Sequence, residues 1–148
     1  TEHEMEKRLL ALALFRPFLW QELSTAWQAE SFRDESLRTL YEVCILAYAE
    51  RNPSHISALA DRAMPLPAHL TPDQAQTYDT LAFLAEREFQ EMSREALARE
   101  LKNLLEYLRT LTKARRRKEL EEAMRDAERV GDATRIAELA RQFSELSF

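Results

Sequence analysis

Glycine occurs once among the 148 residues of this chain. A β-sheet domain of this length uses several glycines, because hairpin turns and bulges require backbone conformations that other residues adopt poorly. The near absence of glycine, together with abundant Leu, Ala, Glu and Arg, favours helices joined by short turns. A chain of this length can bury enough of its surface on folding to need no metal or disulfide. The sequence therefore predicts an all-α fold.

Local start signals divide the first 112 residues into helices. Pro17 suits a first helical turn, and Asp34 and Ser93 suit N-caps. Residues 71–74 (TPDQ) match a capping box. The predicted helices span residues 4–15, 17–29, 35–51, 55–62 and 72–89, and a long helix begins after Ser93. We expect them to form a bundle of about six helices over residues 1–112.

Large apolar side chains mark the expected core of this bundle. Trp20 and Trp27 stand seven residues apart in one predicted helix, so they should share a face and pack inside. Phe83 belongs to the apolar set of helix 72–89. Cys44 is the only cysteine and has apolar neighbours, so we expect a buried small side chain and not a disulfide or a zinc ligand.

The long helix has no stop signal before Gly131. Glycine suits the left-handed position that follows a helix, so Gly131 predicts a turn there. The leucine stripe of the helix thins out across residues 113–118 and then resumes. A last helix, over residues 133–147, is apolar on one side. Residues 113–148 are therefore predicted to be a second subdomain, an antiparallel helical hairpin.

Charge is distributed unevenly along the chain. The net charge is −5, yet residues 109–118 carry six basic side chains and no acidic one. An acidic total argues against a module that binds duplex nucleic acid, because such binding depends on neutralising phosphates. Three interpretations of the basic run stay open: a solvated helical linker, an electrostatic contact with a partner or with the acidic bundle, and weak contact with single-stranded nucleic acid. The basic run is the five basic residues that follow Arg109, namely Lys113, Arg115, Arg116, Arg117 and Lys118.

Patterns of catalytic or cofactor chemistry are not found in the sequence. The three histidines have no metal-ligand partner at helical spacing, and a single glycine cannot supply a phosphate-binding loop. We expect no catalytic residue, no cofactor, no metal and no small-molecule substrate. No apolar run reaches the length of a membrane span, and the first residues do not form a signal peptide. We expect a cytoplasmic location without membrane contact and, because the sequence starts with Thr1 and not Met, a fragment of a longer protein.

The order of these elements resembles a known family. The residues that carry the resemblance are 6–14 (EKRLLALAL) with Arg16-Pro17, 37–42 (LRTLYE), 118–132 (KELEEAMRDAERVGD) and 136–140 (IAELA). They are similar to the C-terminal, helicase-interacting domain of bacterial replicative primases (DnaG-type). In that family a helical bundle is followed by a long helix and a C-terminal hairpin with a Gly-Asp turn.

The resemblance implies a function and a partner. Such a domain binds the N-terminal domains of the hexameric replicative helicase (DnaB-type). It recruits primase for RNA primer synthesis at the replication fork and modulates both enzymes. The catalytic core and the zinc-binding module of the family would lie upstream of this fragment, so the fragment itself is expected to be non-catalytic.

The last helix supplies the candidate partner-binding residues. Its apolar side can pack against the preceding helix, through Ile136, Leu139, Phe143 and Leu146. A large aromatic side chain beside polar groups is also the usual composition of a binding hot spot. The candidate partner-binding residues are Arg135, Leu139, Gln142, Phe143, Leu146 and Phe148.

Two other functions compete with this one. The first is a structural or oligomerisation module related to the N-terminal domain of the replicative helicase itself. In that case a linker and an ATPase domain should follow the hairpin, whereas Phe148 is expected to be a true end. The second is an enzyme or a small-ligand binder, for which the sequence supplies no pattern of reactive residues.

Overall fold

The computed structural model of the chain describes residues 1–49 and 64–146. These residues form helices and turns and contain no strand, which confirms the all-α class. The α-helices among them are α1 (Glu2–Phe15), α2 (Trp20–Ala26), α3 (Glu35–Tyr48), α4 (Pro72–Phe89), α5 (Arg94–Val130) and α6 (Ala133–Glu145). The predicted helix 55–62 and the predicted site residue Phe148 lie outside the described residues. The finer arrangement, a bundle followed by a hairpin, stays a prediction.

Contacts between residues separate the chain into two compact units. The N-terminal unit is Thr1–Glu106 and the C-terminal unit is Tyr107–Phe148. Helix α5 contributes residues to both units, since it runs without interruption from Arg94 to Val130. The predicted domain boundary between residues 112 and 113 stays a prediction.

Helix α1 forms the centre of the N-terminal unit. Residues 9–14 are all fully buried, so every side of the helix is covered. It contacts α2, α3 and α4. At its side, the Arg8 guanidinium lies 3.1 Å from Glu88 Oε2 of α4 and 2.7 Å from Glu100 Oε1 of α5. The salt bridges of Arg8 therefore connect α1 to α4 and α5 beside the buried apolar residues of α1.

A buried carboxylate fixes the loop that leads into α3. Glu6 is only 1% exposed and accepts hydrogen bonds from the backbone N–H groups of Arg33 at 2.7 Å and Asp34 at 3.3 Å. Burial raises the pKa of the Glu6 carboxyl above its ordinary value. Asp34 in turn caps α3, as predicted, by accepting from the backbone N–H of Leu37 at 3.0 Å. Glu6 thus holds the start of α3 from inside the core.

The predicted helix over residues 17–29 is wrong in its extent. The segment forms a 3-10 turn at Pro17–Leu19, the short helix α2 and a second 3-10 turn at Ala29–Ser31. Trp27 follows the end of α2 in an extended conformation, so it does not share a helix face with Trp20. Its carbonyl accepts a hydrogen bond from the Tyr41 hydroxyl at 2.8 Å, a tertiary contact that overrides helix propensity. Both tryptophans are nevertheless buried, as expected.

Helix α4 begins with the predicted capping box. The Thr71 hydroxyl accepts from the Gln74 backbone N–H at 3.1 Å, and Gln74 Oε1 accepts from the Thr71 N–H at 3.0 Å. The placement of Phe83 in the apolar stripe of this helix is wrong, because its side chain is 65% exposed. Cys44 of α3 is fully buried, as predicted, and burial raises the pKa of its thiol to about 12.

Candidate protein-interaction site

The turn between α5 and α6 is fixed by two consecutive residues. Gly131 has a φ of +73°, and its N–H donates to Glu128 O at 3.2 Å, while the Asp132 N–H donates to Ala127 O at 3.0 Å. This pair of bonds is a Schellman motif, which satisfies the last carbonyls of α5. The Asp132 side chain then accepts from the Arg135 backbone N–H at 3.0 Å and caps α6. One residue ends a helix and the next begins another, so the turn needs no additional loop.

A small hydrophobic core holds α5 and α6 together. Its buried members are Leu120 and Ala127 of α5 and Leu139 of α6. Partly buried apolar side chains surround them, at Ala123, Met124, Ile136, Phe143 and Leu146. The apolar side of α6 therefore packs against residues of α5. With three fully covered residues, the core is enough to pair two helices but leaves part of its apolar surface open.

The predicted partner-binding residues occupy different environments in the C-terminal unit. Arg135 is exposed, and Gln142, Phe143 and Leu146 are half-buried. Leu139 is 1% exposed, so it supports the pair of helices from within. Its place in the partner-binding set stays a prediction. The half-buried residues cluster at the C-terminal end of α6.

Gln142 takes part in a chain of polar contacts. Its Oε1 accepts from Arg116 Nη2 at 2.9 Å, and its Nε2 donates to Glu138 Oε1 at 3.1 Å. Arg141 Nη2 donates to Glu138 Oε1 at 2.5 Å and Arg141 Nη1 donates to Glu145 Oε1 at 2.5 Å. The hydrogen bonds from Arg141 and Gln142 lower the pKa of the exposed Glu138 carboxyl to about 2. The contacts link the basic run of α5 to the last turns of α6.

Phe143 has a cationic neighbour from the same run. The Arg117 guanidinium carbon lies 5.7 Å from the centre of the Phe143 ring, within the range of a cation–π interaction. Arg116 and Arg117 also approach carboxylates of their own helix, Glu119 at 3.6 Å and Glu121 at 3.9 Å. Two of the residues predicted as a linker or an electrostatic surface therefore contact the candidate partner-binding residues directly.

The remaining residues of the basic run differ in exposure. Lys113 and Lys118 are exposed, whereas Arg115 is half-buried. The sequence did not reveal that Arg116 and Arg117 reach the last helix. To predict these contacts, one must know how α5 and α6 are aligned on either side of Gly131. That alignment brings positions 26 residues apart into contact. A helical pattern alone does not fix that register.

In residues 1–49 and 64–146, no group of three His, Cys, Asp or Glu side chains is close enough to hold a metal ion. Among the described helices, none combines the length and the apolar character that crossing a bilayer would need. Comparison with protein-family models, with curated proteins and with solved structures finds no match to the chain. The resemblance to a primase domain therefore stays a prediction that depends on the order of its motifs.

Proposed function

We propose that the chain is a non-catalytic protein-interaction domain of a bacterial DNA primase, which binds the N-terminal domains of the hexameric replicative helicase. In this proposal the C-terminal unit is an antiparallel helical hairpin that acts in the cytoplasm. Binding recruits primase for RNA primer synthesis at the replication fork and modulates both enzymes. No cofactor, small-molecule substrate or membrane takes part, and nucleic-acid contact by this fragment is weak or absent.

One observation supports this proposal most strongly: a half-buried aromatic ring stands beside charged and amide groups at the end of α6. Phe143 is packed on one side by the small core and approached by Arg117, while Gln142 is held beside it. Binding hot spots favour aromatic and arginine side chains that a partner can cover completely. We name Arg135, Gln142, Phe143 and Leu146 the docking patch.

The build of the C-terminal unit also suits a docking role. The unit has its own hydrophobic core and a hydrogen-bonded turn between its two helices, so these contacts can support a surface for a partner. Only three residues of its core are buried. A partner that covers the half-buried apolar side chains around them would gain binding free energy from the hydrophobic effect. Apolar area that folding leaves open is the kind of surface that association buries.

Calorimetric titration of the chain with the isolated N-terminal domains of a replicative helicase tests the proposal. Phe143→Ala should weaken binding at least about 30-fold, the effect of losing a hot-spot side chain of about 2 kcal/mol. Phe83→Ala is the matched control, since it removes an exposed phenylalanine from the N-terminal unit. This control should bind like the wild type.

Two results would contradict the proposal. The wild-type chain could fail to bind the helicase domains, or Phe143→Ala and Phe83→Ala could bind them equally well. Removal of residues 135–148 should also abolish binding while α1 to α4 remain folded by circular dichroism. Sedimentation equilibrium separates the structural alternative, because a stable dimer or ring of this chain at micromolar concentration would favour an oligomerisation module.

A further inference from the structure

Two arginines of the basic run hold the two central residues of the docking patch. Arg117 lies over the Phe143 ring at 5.7 Å, and Arg116 donates to the Gln142 side chain at 2.9 Å. The Gln142 amide is also fixed from its other end, where its nitrogen donates to Glu138. Its carbonyl oxygen faces a cation and its nitrogen faces an anion, so only one orientation of the amide satisfies both neighbours.

Both side chains stand near the end of their helix, where the small core packs against one side of Phe143. Phe143 and Gln142 belong to the last turn of α6, which ends at Glu145. Helix ends fray, and side chains in a last turn have few neighbours that limit their rotamers. The contacts with Arg116 and Arg117 come from the middle of α5, a helix of 37 residues. Side chains from the interior of a long helix can therefore restrict the motion of side chains at the end of a short helix.

The charges of the two arginines are already partly matched within the unit. Arg116 lies 3.6 Å from Glu119 and Arg117 lies 3.9 Å from Glu121. Neighbouring carboxylates reduce the field that each cation projects toward a distant surface. Lys118, the next residue, is exposed and carries the same charge. If the run attracted a partner only by its charge, Lys118 would do so as well as Arg117.

We infer that Arg116 and Arg117 are positioning residues of the docking patch: they hold Gln142 and Phe143 in the conformation that the partner binds. This inference rests on the proposed function and gives these two residues of the basic run a role that acts through α6 and not as a separate electrostatic surface. Rotamers that are fixed before association lose less entropy during association. Each held side chain should therefore improve affinity by about 2- to 10-fold.

A double-mutant cycle measured by calorimetry with the helicase N-terminal domains tests the inference on the full chain. Arg117→Ala should weaken binding about 2- to 10-fold in the wild-type background and not at all in the Phe143→Ala background. Arg116→Ala should behave in the same way toward Gln142→Ala. Lys118→Ala is the matched control, which removes the neighbouring charge and should leave the affinity unchanged.

Three results would overturn the inference. Arg117→Ala could leave the affinity unchanged, or weaken it equally with and without Phe143, as a direct contact with the partner would. It could also weaken binding only in proportion to a general loss of structure, which would appear as faster hydrogen exchange of the Leu139 amide. Positioning predicts that protection of this buried residue stays the same.

A measurement without any partner keeps the inference separate from the proposed function. 4-Fluorophenylalanine at position 143 reports the surroundings of the ring by fluorine NMR. Arg117→Ala should shift its resonance toward that of the free amino acid, and Lys118→Ala should not. An unchanged resonance would overturn the positioning role even if the helicase binds. If the resonance shifts but the helicase does not bind, the proposed partner is wrong while the contact between Arg117 and Phe143 stands.

Discussion

Replacement of Leu139 tests whether the C-terminal unit depends on its own core. Leu139 is 1% exposed and is the only fully covered residue that α6 contributes. Leu139→Ala removes about three methyl or methylene groups, each worth about 0.8 kcal/mol when buried. The cavity adds little if half-buried neighbours such as Ile136 and Met124 relax into it. The expected cost is about 2–3 kcal/mol, near the lower end for Leu→Ala changes in protein cores.

Hydrogen exchange followed by mass spectrometry measures this cost where it falls. A loss of about 2–3 kcal/mol predicts exchange about 30- to 150-fold faster for amides of residues 133–145. Amides of residues 9–14, in the N-terminal unit, should keep their protection. Val130→Ala is the control within the same unit, since Val130 is 76% exposed and its loss should change little.

Unchanged protection of residues 133–145 in Leu139→Ala would show that α6 does not depend on this core. An equal loss of protection in residues 9–14 would contradict a separate core, because the two units would then unfold as one.

Three further predictions concern single contacts. Gly131→Ala should cost about 1–2 kcal/mol in thermal unfolding, because alanine disfavours the left-handed backbone at φ +73°. The new Cβ would have no atom within 4 Å, so steric overlap adds nothing to this cost. Gly131→Asn should cost less. Glu6→Ala should cost about 1–3 kcal/mol in urea unfolding, because it removes the buried carboxylate that accepts from the backbone N–H groups of Arg33 and Asp34. A cost near zero would contradict the assignment. The pKa of Glu138 is lowered to about 2, so its stabilisation of α6 is complete above its ordinary pKa of 4.5 and is lost as the pH falls through 2. In an acid titration by circular dichroism, Glu138→Gln should flatten the loss of helix between those values.

Much of the helical pattern could be predicted from short-range chemistry. The capping box at Thr71, the Asp34 cap and the Gly131 turn each depend on residues within five positions of one another, and each is found in the structure. The same is true of the uninterrupted helix from Arg94 to Val130, since no breaking residue stands within it. Helix starts and ends of this kind can be predicted from sequence because they depend on a few neighbouring side chains.

Features that depend on distant contacts were less predictable. Trp27 leaves the helix because its carbonyl meets the Tyr41 hydroxyl, 14 positions away. Glutamate is seldom fully buried, yet Glu6 is buried against the backbone before α3. The contacts of Arg116 and Arg117 with α6 require the register of two helices, which periodicity does not supply. Their charge suggested a solvated or partner-binding surface, whereas in the structure they also contact Phe143 and Gln142.

Hydrogen exchange of the chain with and without the helicase N-terminal domains locates the binding surface most directly. If the docking patch is the contact, saturating helicase domains should slow exchange across residues 135–146 and leave residues 72–89 of α4 unchanged. Protection confined to the N-terminal unit, or no protection anywhere in the chain, would contradict a docking role for the C-terminal unit.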